Sequence, residues 1–298
     1  MAFFKLSSGD AVQVKPLPTH PDNEKGVQGV IERNLGPIFG VRFVASEFKT
    51  GAKHRGRIDT LGLDEDGSPT IIEYKRHTNE NVINQGLFYL DWLMDHRGDF
   101  EMAAREKFGS DLVIAWGSPR LILLAGGFSR YDQYAVNRID ERIELWTYTF
   151  YDGDFVRVER LESDEGPTKE QHVKKRKIQI PSGFAYSLEG HTAKMSTSSR
   201  ALFDTMREEI LALGNDTTER FLKQYIGYRR LRNFCEIVPK RSKLNIFIDG
   251  PVVNKKSIGE DYSKTGHWGT GDLRVVVETS EDVGDVMDLI KQAYRLQD

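Results

Sequence analysis

Three charged residues have a spacing that can bring their side chains together at one end of a β-hairpin. Asp59 lies in one apolar run of the sequence, and Glu73 and Lys75 lie in the next. Residues 64–69 between the two runs, Asp-Glu-Asp-Gly-Ser-Pro, are of the types that reverse the direction of a chain. Because successive side chains of a strand alternate between faces, Glu73 and Lys75 point the same way, and Asp59 can lie beside Glu73 on the partner strand.

Such a group of side chains suits the hydrolysis of phosphodiester bonds. Mg²⁺ is held in proteins by one or two carboxylates, together with waters and substrate phosphate oxygens. A bound metal can activate a water molecule and neutralise charge on the phosphate, and a nearby lysine can stabilise the negative charge of the transition state. The alternative is a pair of solvated surface charges, whose attraction would contribute about 0–1 kcal/mol to stability. Ile71 and Ile72 directly precede Glu73 and favour the metal site, because a buried carboxylate needs a partner.

Asp59 and the sequence Glu73-Tyr74-Lys75 resemble the motifs of the PD-(D/E)xK nuclease superfamily. Gln85 and Tyr89, four residues apart and so on one face of a helix, resemble the QxxxY motif of its RecB-like branch. The resemblance implies that Asp59 and Glu73 hold Mg²⁺ or Mn²⁺ and that Lys75 positions the attacking water. It further implies that Gln85 and Tyr89 orient the substrate or the groups around the metal. In-line attack would leave 5′-phosphate and 3′-hydroxyl ends.

The resemblance also implies a third acid on a helix that precedes the hairpin. Glu32, in the segment 26–35, is the candidate for this metal ligand, and Glu24 and Glu47 are competing acids. The segment contains two glycines, each of which weakens a helix by up to about 1 kcal/mol relative to alanine. The sequence therefore does not determine the residue at which this helix begins.

Two groups of arginines are candidates for contacts with the phosphates of a nucleic acid. Arg55 and Arg57 come shortly before Asp59, and His54 beside them is a weaker candidate for a metal ligand. The stretch 220–232 alternates aromatic and cationic residues, a pattern that suits phosphate contacts and base stacking. The candidate contacts there are Arg229, Arg230 and Arg232. A solvated basic face with tyrosines packed inward is the other interpretation of the same stretch.

Length and composition indicate a globular protein of two domains. The chain has 298 residues, of which 39% are hydrophobic and 29% are charged. Its single cysteine, Cys235, excludes an intramolecular disulfide and a cysteine-based zinc cluster. The sequence has no apolar run of about 18 residues, which argues against a membrane-transport role, and no signal-peptide core, so a cytoplasmic location is expected. A net charge of −3 does not indicate nucleic acid as a partner, although a local basic stripe would suffice for one.

The order of predicted elements matches an α/β fold with a second, smaller α+β domain. Helix, three strands, helix and strand follow one another over about residues 20–160, which is the αβββαβ restriction-endonuclease-like core of the resembled superfamily. The predicted domains are a nuclease-like domain at 1–161, a polar linker at 162–198 and the α+β domain at 199–298. In the last of these a helix is predicted at about 199–213, followed by a short helix that holds Phe221 and Leu222.

This second half resembles a domain family of unknown function that recurs behind RecB-like nuclease domains. The resemblance rests on residues 244–248, on Gly266–Leu273 and on the closing Ala293-Tyr294. It supplies no catalytic residues. The leading hypothesis is thus a metal-dependent endonuclease acting on nucleic acid, with DNA expected, whose C-terminal domain provides binding, a homodimer contact or a protein-partner contact. A non-catalytic nucleic-acid-binding or scaffold protein on a nuclease fold is the alternative. The preferred strandedness and the repair or defence pathway stay open.

Overall fold

The computed structural model describes residues 3–7, 10–17, 21, 23–51, 56–76, 82–161, 186–253, 258–263 and 271–297. The chain divides into two compact units, Met1–Ile178 and Gln179–Asp298. Most of the predicted linker, as far as residue 185, lies outside the described residues. None of the helices within the described ranges is both long enough and apolar enough to cross a membrane.

The described part of the first unit is built around one mixed β-sheet. The strands of the unit are β1 (Phe3–Ser7), β2 (Asp10–Val14), β3 (Val41–Lys49), β4 (Arg57–Asp64), β5 (Pro69–Lys75), β6 (Arg120–Ala125), β7 (Arg142–Tyr151) and β8 (Phe155–Arg160). The first two strands form a separate hairpin, and β3 to β8 form the sheet in sequential order. β5, β6 and β7 run parallel, and the other neighbours in the sheet are antiparallel.

Helices cover both faces of this sheet. They are α1 (Glu24–Glu32), α2 (Leu35–Phe39), α3 (Val82–Asp95), α4 (Arg97–Phe108) and α5 (Arg130–Val136). The apolar sides of α3, α4 and α5 form one core with the sheet. On the other face Phe39 of α2 packs edge-on against Trp146, with 5.1 Å between ring centroids. Because both its faces are covered, β6 is apolar except for Arg120 and is buried along its whole length. The first unit thus has the expected α/β fold, with the αβββαβ order of a restriction-endonuclease-like core.

The predicted hairpin is confirmed as β4 and β5. The two strands pair antiparallel, with Thr60 opposite Ile72 and Leu61 opposite Ile71. Asp64 closes the turn, because its Oδ1 atom accepts hydrogen bonds from the backbone N–H groups of Asp66 (3.0 Å) and Ser68 (2.8 Å). These bonds occupy backbone donors that a turn would otherwise leave unpaired. The tight turn fixes the register of the hairpin and with it the residues that face each other at its open end.

The described part of the second unit is an antiparallel sheet with helices, as expected for an α+β domain. Its helices are α6 (Leu188–Thr192), α7 (Thr197–Leu211) and α8 (Ser280–Arg295), and its strands are β9 (Thr218–Phe221), β10 (Ile226–Arg229), β11 (Asn233–Pro239), β12 (Leu244–Ile248), β13 (Gly259–Asp261) and β14 (Leu273–Val277). The strand order is β13-β14-β12-β11-β10-β9. Phe203 and Met206 of α7 share a core with Val286 and Ile290 of α8.

One predicted element of the second unit is wrong. The sequence predicts a short helix around Phe221 and Leu222, but residues 218–221 form strand β9, which pairs with β10. Phe221 lies opposite Ile226 in this hairpin. The segment is too short for a periodicity to distinguish helix from strand, and the cross-strand pairing decides between them.

Candidate functional site

Asp59 and Glu73 face each other at the open end of the β4–β5 hairpin. The paired register ends at Thr60 and Ile72, so the next residues along the two strands are Asp59 and Glu73. The backbone N–H of Tyr74 donates to Asp59 Oδ2 (3.1 Å), and the backbone N–H of Asp59 donates to Glu73 Oε1 (3.1 Å). Each carboxylate therefore accepts a hydrogen bond from the backbone of the other strand. The sequence prediction that these two acids lie side by side agrees with this geometry.

The two acids hold their protons more strongly than isolated carboxyl groups. Burial raises the pKa of Glu73 to about 9, and the negative charge of Asp59 contributes to this increase. Burial also raises the pKa of Asp59, against the opposing effects of the Tyr74 N–H group and the charge of Lys75. The pair therefore carries a proton at neutral pH in the absence of a cation. Such a pair can exchange that proton for a metal ion, because binding of carboxylates to metal requires their ionised form.

Lys75 lies at the end of β5 on the same face as Glu73. Its positive charge lowers the pKa of both Asp59 and Glu73, which places it close to the acid pair. The Lys75 Nζ atom is 3.6 Å from Oε2 of Glu24, and Oε1 of Glu24 accepts a hydrogen bond from the backbone of Arg76 (3.3 Å). Glu24, one of the competing acids, thus lies at the rim of the site beside the lysine.

Gln85 and Tyr89 of α3 both reach the hairpin. Gln85 Nε2 donates to Glu73 Oε2 (2.9 Å), and the Tyr89 hydroxyl accepts a hydrogen bond from the backbone N–H of Arg57 (3.2 Å). Gly86 allows this approach, because a Cβ atom there would lie only 2.8 Å from Leu121. Gln85 therefore orients one metal-binding candidate, and Tyr89 fixes the start of the strand that carries the other.

The prediction that Glu32 joins the site is wrong. Glu32 Oε1 accepts a hydrogen bond from the hydroxyl of Thr60 (2.6 Å), and that hydroxyl lies 3.2 Å from the hydroxyl of Tyr74. Thr60 and Tyr74 are the strand neighbours of Asp59 and Glu73, so their side chains point to the opposite face of the sheet. The sequence places an acid on α1 but does not give the rotation of that helix relative to the strands.

Glu47, the other competing acid, lies next to Asp59. Ser46 pairs with Thr60 and Phe48 pairs with Ile58, which leaves Glu47 opposite Asp59. Its φ angle of +54° lies in the left-handed region, where a residue other than glycine is strained. The charge of Glu47 contributes to the raised pKa of Asp59.

The predicted nucleic-acid contacts have different outcomes. Arg57 is largely exposed and pairs with Glu47, whereas Arg55 and His54 lie outside the described residues. The three arginines of the second unit are buried or paired with acids. Arg229 is 2% exposed. Arg230 pairs with Asp216, and Arg232 Nη1 is 2.6 Å from Asp249 Oδ2. Strand pairing buries the first, and acids distant in sequence engage the other two.

Carboxylates at this site do not form a closed metal cage. Among the described residues, no group of three or more His, Cys, Asp or Glu side chains is arranged to hold a metal ion. Two carboxylates with open coordination positions are nevertheless what Mg²⁺ uses when waters and substrate phosphate oxygens complete its octahedron. Asp59 and Glu73 can serve as such a two-carboxylate anchor, with Glu24 and Glu47 at its edges.

Gln28 supports the site from the opposite face, and sequence reasoning did not find it. This buried side chain of α1 donates through Nε2 to the backbone carbonyl of Asp59 (2.7 Å) and lies 3.1 Å from both Ser46 Oγ and Glu32 Oε1. The signal in the sequence is an amide at a position where the helix faces the core. The Gln28 side chain thus connects α1 to the backbone of Asp59.

Replacement of Gln28 by leucine is expected to destabilise the protein by about 1–3 kcal/mol, since the Asp59 carbonyl would lose its buried donor. Leucine has a similar volume, so the loss of packing is small. Urea denaturation followed by circular dichroism measures the change. Gln133→Leu on the half-exposed side of α5 is the control, and equal stabilities of the two variants would contradict the assigned hydrogen bond.

The raised pKa of Glu73 predicts how stability depends on pH. The folded-state value of about 9 exceeds the ordinary value of 4.5, so the folded protein holds a proton that the unfolded chain has released. This contribution is fully present below pH 4.5 and is lost as the pH rises toward about 9, by at most about 1.4 kcal/mol per pH unit. In metal-free buffer, Glu73→Gln should flatten this decline, whereas Glu106→Gln, at an exposed position of α4, should not. Parallel pH profiles for wild type and Glu73→Gln would contradict the shift.

Comparison with known proteins identifies similarity in both parts of the chain. Residues 188–297 match the family model "Domain of unknown function (DUF5655)", which agrees with the resemblance of the second half to such a family. The chain is 29% identical to an uncharacterized protein of Haemophilus influenzae over 283 residues, covering 91% of this chain and 93% of that protein.

Solved structures of endonucleases are more distant. One is a repair endonuclease from Pyrococcus abyssi, with 18% identity over 41% of this chain and 45% of that chain, and a TM-score of 0.24. Another is EndoMS in apo form, with 18% identity over 48% and 62% of the two chains and a TM-score of 0.28. EndoMS in its complex with double-stranded DNA gives 17% identity, coverage of 49% and 64%, and a TM-score of 0.25. The chain spans less than two thirds of each of these structures. The fold assignment therefore rests on the strand order and helix placement described above.

Proposed function

We propose that the first unit is a metal-dependent endonuclease that hydrolyses phosphodiester bonds in nucleic acid, with DNA as the expected substrate. The observation that carries this proposal is the pair of Asp59 and Glu73 at the open end of the hairpin. Each acid is braced by the backbone of the other strand, and the charge of Lys75 acts on both. A surface ion pair would lack this burial and this bracing.

The chemistry of the two acids fits Mg²⁺ or Mn²⁺. Both carboxyl groups have a raised pKa, with burial as the largest cause, and a cation held between them would compensate their charges. When bound, the metal would lower the pKa of a water molecule and neutralise charge on the phosphate. Glu24 and Glu47 would add negative potential at the edges of the site without closing it.

The other residues of the site have distinct tasks in this proposal. Lys75 would leave Glu24 to donate a hydrogen bond to the attacking water or to a phosphate oxygen, where fixed positive charge is most effective in the transition state. Gln85 keeps the Glu73 carboxylate in one orientation through its 2.9 Å hydrogen bond. Tyr89 holds the backbone at Arg57, and the exposed Arg57 side chain could exchange Glu47 for a phosphate of the substrate.

The experiment that tests the proposal is incubation of plasmid, linear duplex DNA, single-stranded DNA and RNA with the protein in Mg²⁺, Mn²⁺ or EDTA. We expect cutting in the presence of metal, with 5′-phosphate ends, no cutting in EDTA, and little cutting by Glu73→Gln beside an active Glu106→Gln control. Binding of these nucleic acids without any cutting would instead support the non-catalytic nucleic-acid-binding protein. The homodimer or protein contact of the second unit stays a prediction, which sedimentation of the full chain would test.

A further inference from the structure

The short helix α5 presents an exposed face of aromatic and cationic side chains. Tyr131 is 85% exposed and Tyr134 is 61% exposed, and Arg130 and Arg138 are exposed on the same helix or directly after it. Large aromatic side chains are usually at least partly covered in a folded protein. Two exposed aromatic side chains three residues apart therefore form a surface of the kind that marks a binding site.

The helix itself is fixed in place. Ser129 and Asp132 form a capping box, in which the backbone N–H of Ser129 donates to Asp132 Oδ2 (2.8 Å) and the backbone N–H of Asp132 donates to Ser129 Oγ (3.2 Å). Val136, on the inner side of the helix, is buried in the core of the first unit. The exposed face of α5 is thus a preformed surface on a rigid support, and Asp132 is occupied by the cap.

The exposed side chains are arranged for stacking. Arg130 and Tyr134 are four residues apart, and Tyr131 and Tyr134 are three apart, so these three share one side of the helix. Arg138 follows the end of the helix. The Arg138 guanidinium lies over the Tyr134 ring, 5.0 Å from its centroid, and its Nη2 donates to the Tyr134 hydroxyl (3.0 Å). The Tyr134 ring is therefore already oriented, which lowers the entropy lost when a base stacks on it.

This face begins near the end of the sheet that carries the acid pair. Ala125, the last residue of β6, pairs with Lys75 in the parallel register. The next residue, Gly126, packs so closely on the backbone that a Cβ atom there would lie 2.4 Å from the carbonyl oxygen of Arg76. Tyr131 follows Gly126 by five residues, so it lies within about 18 Å of this contact, the maximum span of five extended residues.

We propose that this face of α5 binds an unpaired segment of the nucleic-acid strand that enters the Asp59–Glu73 site, and this inference rests on the proposed nuclease function. Bases stack on Tyr131 and Tyr134, and Arg130 and Arg138 contact the phosphates. Aromatic stacking is available only to bases that have left a duplex, whereas duplex binding needs phosphate contacts alone. The preferred substrate is then a single strand, or a duplex that is frayed or mismatched beside the cut. The acids Asp140 and Glu141 follow Arg138, at the end of this face remote from Gly126.

The test is binding of a fluorescein-labelled oligothymidylate and of its duplex with oligoadenylate, measured by anisotropy with the full chain in EDTA. We expect tighter binding of the single strand by wild type. Tyr131→Ala and Tyr134→Ala should each weaken that binding by about fivefold or more, with a smaller effect on the duplex. Tyr131→Phe should keep the affinity, because phenylalanine retains the stacking surface. Met102→Ala, which removes an exposed apolar side chain from α4, is the matched control.

Photocrosslinking gives a readout that does not depend on affinity. An oligonucleotide that carries 5-bromodeoxyuridine should crosslink to the peptide that contains Tyr131 and Tyr134. The α5 proposal is overturned if wild type cuts DNA and the two alanine variants bind the single strand as tightly as wild type does. It is also overturned if they lose single-strand and duplex binding equally, since the face would then contact only phosphates. A wild type that neither binds nor cuts any nucleic acid would overturn the proposed nuclease function, and a protein partner would then be sought for this face.

Discussion

Replacement of Lys75 by methionine is expected to slow cleavage by about 10²- to 10³-fold while the protein still binds metal. Methionine keeps most of the length of the side chain and removes only the charge that stabilises the transition state. The backbone hydrogen bonds that orient Asp59 and Glu73 do not involve the Lys75 side chain, so the variant keeps the two carboxylates in place. Single-turnover rates on labelled DNA and calorimetric titration with Mn²⁺ measure the two effects separately.

The matched control for this prediction is Lys107→Met. The Lys107 Nζ atom lies over the ring of Phe43, 4.1 Å from its centroid, on α4, so its replacement should leave the cleavage rate unchanged. A Lys75→Met protein that cuts as fast as wild type would show that the lysine has no part in the chemistry. If the variant loses Mn²⁺ binding as well as cleavage, the lysine supports the metal site instead of acting on the substrate.

Replacement of Arg120 by methionine is expected to destabilise the first unit by about 3–5 kcal/mol. Arg120 is fully buried and makes two parallel hydrogen bonds to Glu144, from Nε to Oε1 (2.8 Å) and from Nη2 to Oε2 (2.7 Å). Its Nη1 also donates to the carbonyl of Phe39 (2.8 Å). Burial alone would raise the pKa of Glu144, but the charges of Arg120 and Arg160 hold that pKa well below its usual value. Loss of the arginine would leave a buried carboxylate without its main partner.

Urea denaturation of wild type and Arg120→Met measures this change. Arg157→Met breaks an ion pair with Glu159 at the surface and should alter stability by no more than about 1 kcal/mol. Equal stabilities of Arg120→Met and Arg157→Met would show that the buried pair contributes no more than a solvated one. The contrast isolates burial, because both variants remove the same charge and leave a glutamate behind.

The hairpin and the position of the acid pair could be predicted because they depend on local rules. The residues between Asp64 and Pro69 give the turn, and the alternation of side chains along a strand gives the face on which Glu73 and Lys75 lie. The spacing of Gln85 and Tyr89 gives a common side of α3. Each of these inferences spans a single element or two adjacent ones, so no knowledge of distant contacts is needed.

The rotation of α1 relative to the sheet could not be obtained in this way. Helical periodicity gives the buried side of α1, but Glu32 and Gln28 are both close to that side, and the contacts that separate them involve Thr60 and the carbonyl of Asp59. The position of Glu47 depends on its own positive φ angle within β3. The sequence does not reveal this angle, because β3 has no glycine that would indicate a left-handed residue.

The pairing of the arginines in the second unit could not be predicted for a related reason. Aromatic and cationic residues also alternate in the sequence of a strand whose two faces have different surroundings. Tyr228 and Arg229 are such neighbours in β10. Asp216 and Asp249, which pair with Arg230 and Arg232, are distant in the sequence. Composition therefore indicated free positive charge where the fold neutralises it.

The measurement that tests the central proposal most directly is the single-turnover rate of DNA cleavage as a function of Mn²⁺ concentration for wild type and Asp59→Asn. Asparagine is isosteric with aspartate and can still accept the hydrogen bond from the Tyr74 N–H group, so the fold is retained. We predict a rate that saturates with Mn²⁺ in wild type, and a rate that is lower by about 10²-fold or more in the variant. If Asp59→Asn cuts as fast as wild type at every Mn²⁺ concentration, or if wild type cuts equally well in EDTA, the Asp59–Glu73 pair is not the catalytic metal site.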